Sequence, residues 1–321
     1  KMNKIVVLDG YTLNPGDLSW KALEALGEVR VYDRTKEDEI IERIGDSDIV
    51  LTNKTVLTEE TLKACPAIRY IGCMSTGYNV LDVRRANELG IVVTNIPAYG
   101  TEAVAQFTMA LLLEITSQVG LHSAAVRRGK WSESPDFCFW EAPLIELYGK
   151  TMGIIGYGAI GQSVARKAEA FGMEVLVCTR TVRPEYAADG VEFVDLDTLL
   201  ARSDVLSLHC PATPATRGLI NAATLAKAKP GMILLNTARG ALVDEQAVAD
   251  ALKNGKLGFY GADAFGTEPL PQASPLRGLP NALLTPHIAW ATNEALQRLM
   301  DITANNLRTW LDGAGENIVN A

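Results

Sequence analysis

The stretch Gly153–Val177, GIIGYGAIGQSVARKAEAFGMEVLV, carries the pattern on which the fold turns. A short apolar run ends at Gly156, Gly158 and Gly161 in GxGxxG spacing, an amphipathic segment of helix length follows, and a second β-branched run succeeds it. In such a turn the first glycine makes the bend, the second lets backbone approach a pyrophosphate, and the third lets helix and strand pack closely. The N–H groups of Ala159 and Ile160, at the mouth of the helix, then face an anion. Glycines in a strand-to-helix turn are weak evidence alone. In this order, with a strand on each side, they predict a dinucleotide-binding βαβ unit.

The second strand ends at Cys178 and runs into Thr179 and Arg180, with Arg183 three residues on. NAD sites place an acid there to accept the ribose hydroxyls. A carboxylate repels a 2′-phosphate, whereas a hydroxyl and guanidinium groups bind one through charge-assisted hydrogen bonds. The expected cofactor is therefore NADP(H), with NAD(H) the alternative if these arginines are only solvated surface charges.

Outward from this unit, β-branched runs alternate with helical segments almost throughout. KIVVLD, EVRVYD, DIVLTN, RYIGCMS and GIVVTN precede it; VEFVD, VLSLHC, MILLNTA, GFYGADA and ALLTPH follow. This is an α/β chain with two doubly wound parallel sheets. The expected arrangement is a Rossmann-type cofactor domain over 99–286 inserted into a flavodoxin-like substrate domain formed by 1–98 and 287–321. The terminal segment NEALQRLMDITANNLRTWLDG is expected to return as a helix to the first domain. Residues 101–128 read as one long helix, apolar nearly all round in MALLLEI, which implies burial on more than one side, between domains or subunits. A cleft is expected where the carboxyl ends of the strands meet.

Composition narrows the partners. With 321 residues and 48% hydrophobic content the chain can fill two cores. A net charge of −8 excludes nucleic acid and anionic membrane surfaces as natural partners. No apolar run has the length of a membrane span, and KMNKIVVLDG passes straight into a strand without a leader pattern. Five scattered cysteines with no CxxC predict neither disulfides nor a metal site and fit a reducing cytoplasm.

Three strand ends of the second sheet carry reactive side chains: Arg239 in LNTARGALVD, Asp263 and Glu268 in GADAFGTEPLP, and His287 in LLTPHIAWAT. A lone histidine is usually a packed or surface residue. Beside an arginine, a carboxylate and a cofactor it has a use in reducing a 2-keto acid: the histidine protonates the carbonyl oxygen, the cation binds the carboxylate, and the acid orients the imidazole and favours its charged form. Asn53 and Lys54, in LTNKTVL, are candidate polar contacts for a small hydroxylated substrate, or a solvated loop.

GYGAIGQSVA, NTARGALVDEQAVADAL, GADAFGTEP and TPHIAWAT together resemble the cofactor and catalytic signatures of the D-isomer-specific 2-hydroxyacid dehydrogenases, and the resemblance runs the length of the chain. It implies that Arg239 binds and polarises substrate, that Glu268 pairs with His287, and that His287 is the proton donor. It also implies that Asp263 meets the nicotinamide carboxamide, that Cys210, Pro211 and Thr216 line the cofactor, and that Thr237 and Ala238 contact its nicotinamide side. MSTGYNVLD resembles the loop whose amides hold the substrate carboxylate, here Thr76 and Gly77. AYGTEAVAQFTMALLLE and SPDFCFWEAPLIELYGK are similar to the glycerate dehydrogenase, or hydroxypyruvate reductase, branch. That branch implies reduction of hydroxypyruvate or glyoxylate, and a homodimer through the 101–128 helix and the loop after it, with Trp131 or Trp140 reaching toward the partner or simply packing against it. Dehydrogenases for phosphite or other D-2-hydroxyacids, and corepressor-like proteins that sense the dinucleotide, share the architecture and stay open.

Overall fold

The computed structural model describes residues 2–188 and 190–320. The chain divides into two units, Lys1–Gly100 with Ala291–Ala321, and Thr101–Trp290.

The first unit contains β1 (Lys4–Val7), α1 (Lys21–Glu24), β2 (Glu28–Val31), α2 (Ile40–Ile44), β3 (Ile49–Thr52), α3 (Glu59–Ala64), β4 (Tyr70–Cys73), α4 (Val83–Glu88) and β5 (Val92–Thr94). Its sheet has the order β2-β1-β3-β4-β5, with every pairing parallel. Every residue of β3 and β4 is buried, as parallel strands between two helical layers must be. Val6, Leu8, Ile44, Val50, Ile71 and Val93 form the core. The strand order reverses between β1 and β3, and the loops leaving their carboxyl ends are tied together there, Asp9 accepting the N–H of Asn53.

The second unit contains α5 (Thr101–Ser117), α6 (Val119–Arg127), β6 (Thr151–Ile155), α7 (Ala159–Ala170), β7 (Glu174–Cys178), β8 (Glu192–Phe193), α8 (Leu196–Arg202), β9 (Val205–Leu208), α9 (Ala222–Lys227) and β10 (Met232–Asn236), then α10 (Glu245–Lys253), β11 (Leu257–Ala262) and β12 (Ala282–Leu284). Its sheet order, β12-β11-β10-β9-β6-β7-β8, reverses between β6 and β9. The glycine turn lies at the end of β6 and the Cys210 loop at the end of β9, on either side of that reversal. The closing helix α11 (Asn293–Leu311), capped by Thr292, belongs to the first unit. There Asn306 donates to the Asn95 carbonyl at 2.9 Å and Trp310 packs 4.9 Å from the Tyr70 ring.

Two features differ from the sequence reading. The units meet after residues 100 and 290, not 98 and 286, because the backbone on either side of His287 is tied to β11 and β12: Thr285 N–H donates to Ala262 and Ile288 N–H to Asp263. The long helix is also two helices, bent by 58°. Gln118 adopts a left-handed conformation at φ 46°, and the Glu114 carboxylate turns back to accept the Gly120 N–H at 3.1 Å. A Cβ on Gly120 would sit 2.8 Å from that carboxylate, which a shift of the flexible Glu114 side chain could relieve. His122 ties the break to the aromatic loop: its Nδ1 lies 2.7 Å from the Gln118 carbonyl, and its Nε2 accepts the Glu141 N–H at 3.0 Å. Among the described residues no single helix is long and apolar enough to cross a membrane. The apolar surface of α5 is used against α7, β10 and β11.

Candidate active site

The glycine turn has the shape its spacing predicts. Gly156 sits at φ +91°, donates its N–H to the Cys178 carbonyl at 2.9 Å, and lies so close to the β9 loop that a Cβ would be 2.7 Å from the Cys210 nitrogen. A Cβ on Gly161 would meet the Gly156 carbonyl at 2.3 Å. Gly158, by contrast, faces open space and places no side chain over the start of α7, so the amides around Ala159 and Ile160 are offered outward. An uncapped helix start beside backbone that only glycine permits fits the pyrophosphate of a dinucleotide.

Around this cradle the predicted residues divide by what their side chains already hold. Thr179 is half-buried at the end of β7, and Arg180 is exposed, with no ion-pair partner among the described residues. Arg183 pairs loosely with Glu185 at 3.8 Å. On the β9 side, Thr216 spends its hydroxyl on the Pro211 carbonyl at 2.7 Å and on the Thr213 N–H at 2.8 Å, so it shapes the loop. Burial pushes the thiols of Cys178 and Cys210 up, which keeps both protonated near neutrality. The Thr237 hydroxyl lies 2.7 Å from that of Thr108 on α5, and the Ala238 N–H donates to the Asn236 side chain at 3.1 Å.

Arg239, Glu268 and His287 come from the carboxyl ends of three adjacent strands, β10, β11 and β12, and line one open pocket of about 270 Å³ with Ala212, Gly240, Ala241, Ala264, Phe265 and Gly266. His287 Nδ1 is 2.7 Å from Glu268 Oε2. The other carboxylate oxygen accepts the Phe265 N–H at 2.9 Å, so Glu268 is fixed by its own turn before it fixes the histidine. With Nδ1 engaged, Nε2 is the imidazole atom left for a substrate oxygen. His287 itself is held at φ +56°, a conformation that disfavours a side chain and persists only when its surroundings enforce it. They do so from two sides: the Trp290 indole donates to the His287 carbonyl at 2.7 Å, and Asp263 accepts the next two N–H groups, Ile288 at 2.9 Å and Ala289 at 2.8 Å.

Asp263 is only 1% exposed and also accepts the Thr285 hydroxyl at 2.6 Å, so both its oxygens support the histidine segment. Trp290 was legible only as part of a motif; its role depends on a backbone turn that no spacing reveals.

In the first unit, Thr76 is exposed, donating its hydroxyl to the Ile96 carbonyl at 2.8 Å, and the Gly77 carbonyl accepts the Ser75 hydroxyl at 2.6 Å. Neither Thr76 nor Gly77 has an acceptor for its N–H among the described residues, which leaves two adjacent amides for an anion. Asn53 is 5% exposed, and its amide donates to the Thr12 hydroxyl at 3.2 Å. Lys54 is exposed. Asp9, which the sequence did not single out, shapes the loop by accepting the N–H groups of Asn53, Lys54 and Thr55 at 2.8, 2.6 and 2.8 Å.

Comparison with known proteins agrees with this chemistry. The sequence profile described as "D-isomer specific 2-hydroxyacid dehydrogenase, NAD binding domain" matches residues 109–289. A hydroxypyruvate reductase of Blautia hydrogenotrophica is 53% identical over 320 residues, covering 99% of each chain. A glycerate dehydrogenase of Methylorubrum extorquens is 39% identical over 321 residues, again 99% of each. A solved protein of Thermus thermophilus superposes with a TM-score of 0.85 at 36% identity, covering 98% of this chain and 99% of that one. Matching more than half of its length to the family profile, and nearly all of it to these relatives, the chain belongs to the D-isomer specific 2-hydroxyacid dehydrogenase family and is an oxidoreductase that works with a nicotinamide dinucleotide.

Proposed function

We propose that this enzyme reduces hydroxypyruvate or glyoxylate to D-glycerate or glycolate, with His287 as proton donor and NADPH as the preferred cofactor. The observation that carries the reading is the 2.7 Å His287–Glu268 pair in the pocket that also contains Arg239. The reduced nicotinamide supplies the hydride that reaches the carbonyl carbon. Arg239 pairs with the substrate carboxylate and draws electron density toward the carbonyl oxygen, which His287 protonates from Nε2. Glu268 holds the imidazole by Nδ1 and so keeps Nε2 turned toward the substrate oxygen. In the first unit, the amides of Thr76 and Gly77 are offered to a carboxylate and the exposed Lys54 to a polar substituent.

The cofactor preference rests on Thr179 and on the guanidinium of Arg180, which meets no carboxylate among the described residues at the end of β7. Arg183 adds to it only when a phosphate competes with Glu185. NADH remains the weaker alternative. The protein acts as a homodimer through α5, α6 and the following loop, whose Trp131, Phe137, Trp140 and Tyr148 are more than half exposed in the single chain. The five cysteines, all free, suit a reducing cytoplasm.

A panel of small 2-keto acids against NADPH and NADH tests reaction, substrate and cofactor together. A higher kcat/KM with NADH ends the NADPH preference. No turnover of either acid with either cofactor ends the enzyme reading and favours a dinucleotide sensor. His287→Ala is expected to lose several orders of magnitude in kcat, at about 1.4 kcal/mol per tenfold; unchanged turnover removes His287 as donor.

A further inference from the structure

Glu245 opens α10, and none of the roles above uses it. Its carboxylate Oε1 accepts the Gly266 N–H at 2.8 Å. The preceding amide in the chain, Phe265 N–H, donates to Glu268 at 2.9 Å. Two consecutive N–H groups of one short turn are therefore held by two different carboxylates. One of them is the partner of His287, and the other reaches in from a neighbouring helix. The same turn is pressed against the substrate-binding arginine: a Cβ on Gly240, the residue after Arg239, would overlap the Phe265 carbonyl carbon at 1.8 Å and lie 2.2 Å from the Gly266 nitrogen. Gly240 and Gly266 both line the pocket with Arg239, Glu268 and His287.

We infer that Glu245 is a positioning residue for catalysis, an outer clamp that sets the 265–268 turn and through it both Glu268 and Arg239. The geometry has no slack to replace it. Gly240 and Gly266 are in backbone contact, so a shift of the turn either presses on the backbone beside Arg239 or opens the packing that holds it. Glu268 is fastened to the turn at Phe265, so the same shift moves the acceptor of His287 Nδ1. Glu245 is itself anchored: Asp244 caps α10, accepting the Gln246 and Ala247 N–H groups at 3.1 Å each. The clamp is thus rigid at its helix end and touches the reacting groups only through backbone.

The acceptor is what the clamp requires, and this separates Glu245 from a residue that merely packs. Glutamine keeps an oxygen of the same reach for Gly266 N–H, whereas alanine removes it. The inference rests on the reading of His287 as proton donor, so the experiment includes His287→Ala as its reference. Glu245→Ala, Glu245→Gln and His287→Ala are compared with the parent for kcat, substrate KM, cofactor KM and thermal midpoint. Glu245→Ala is expected to lower kcat roughly 10- to 100-fold, the scale of a small misplacement of catalytic groups. Cofactor KM should stay within about twofold, since the glycine turn of β6 is untouched, and Glu245→Gln should recover most of the loss. If Glu245→Ala keeps the parent kcat, or if glutamine recovers nothing while the thermal midpoint of both variants falls together, the positioning role is wrong and Glu245 is structural. If His287→Ala keeps the parent kcat, the proton-donor reading fails first, whatever Glu245 does.

Discussion

Replacing Asp263 by asparagine tests the account of how the catalytic histidine is held. The carboxylate receives three donors, the Thr285 hydroxyl and Ile288 N–H on one oxygen and Ala289 N–H on the other. Asparagine has one acceptor oxygen and one NH2 group, so it can keep the pair on Oδ1 but must turn a donor toward Ala289 N–H. One charge-assisted hydrogen bond is lost, about 1.5–3 kcal/mol, and a buried amide is stranded, about 1–3 kcal/mol. The neutral side chain regains part of this because burying a carboxylate is itself unfavourable. A net destabilisation of about 2–4 kcal/mol follows, which in a unit of this size lowers Tm by roughly 5–15 °C. The residue released, Ala289, lies two after His287, so the φ of +56° loses part of its support and kcat should fall about 10- to 100-fold. Steady-state kinetics and thermal melts of Asp263→Asn, read together with the cofactor Kd by fluorescence titration, distinguish this from a direct contact with nicotinamide. An unchanged Tm and kcat with a weakened cofactor Kd would refute the clamp and restore the cofactor role.

Three further outcomes are expected. Trp290→Phe keeps an aromatic ring of smaller size and removes the donor to the His287 carbonyl, costing about 1 kcal/mol for the hydrogen bond and lowering kcat more than either KM; stopped-flow and steady-state rates should agree on that split. Gly156→Ala places a Cβ 2.7 Å from backbone atoms of His209 and Cys210 at a φ of +91°, so the dinucleotide Kd should rise at least tenfold, and isothermal titration measures it. His209 has its pKa pushed down to about 4 by burial, beneath the glycine turn with Nε2 2.7 Å from the Ser207 hydroxyl. The unfolded chain takes up that proton near pH 6.5, and the folded one only near 4. Stability is therefore lost as pH falls between those values, by about 2 kcal/mol at pH 5, and His209→Gln should flatten this part of a Tm-versus-pH curve.

The glycine spacing and the β/α alternation were sufficient for both sheets, because parallel strands buried on two faces leave long apolar runs that are hard to mistake. Arg239, Glu268 and His287 were legible for a related reason: each follows a strand of one parallel sheet, and such strands bring their carboxyl ends to one edge. What stayed hidden is local backbone geometry. The apolar pattern of 101–128 continues through Gln118, so nothing in its periodicity marks a break that depends on the Glu114 carboxylate meeting Gly120 N–H. Asp263 and Asn53 sit in motif positions that suggest ligand contact, and spacing does not reveal the three donors on the Asp263 carboxylate or the Thr12 hydroxyl that accepts from the Asn53 amide. Asp9 and Glu245 act on backbone amides distant in sequence, and no spacing rule links an acid to such partners.

The way Glu268 is fastened has a bearing on how such an enzyme can change. Its carboxylate is clipped to an amide three residues back, and His287 is secured by Asp263 and Trp290, so the supports described for this pair all lie within residues 101–290. The substrate contacts proposed above, Lys54 and the Thr76–Gly77 loop, lie in the other unit. On that proposal, drift or recombination in the first unit can retune substrate range while the His287–Glu268 pair travels as an intact inheritance with the glycine turn.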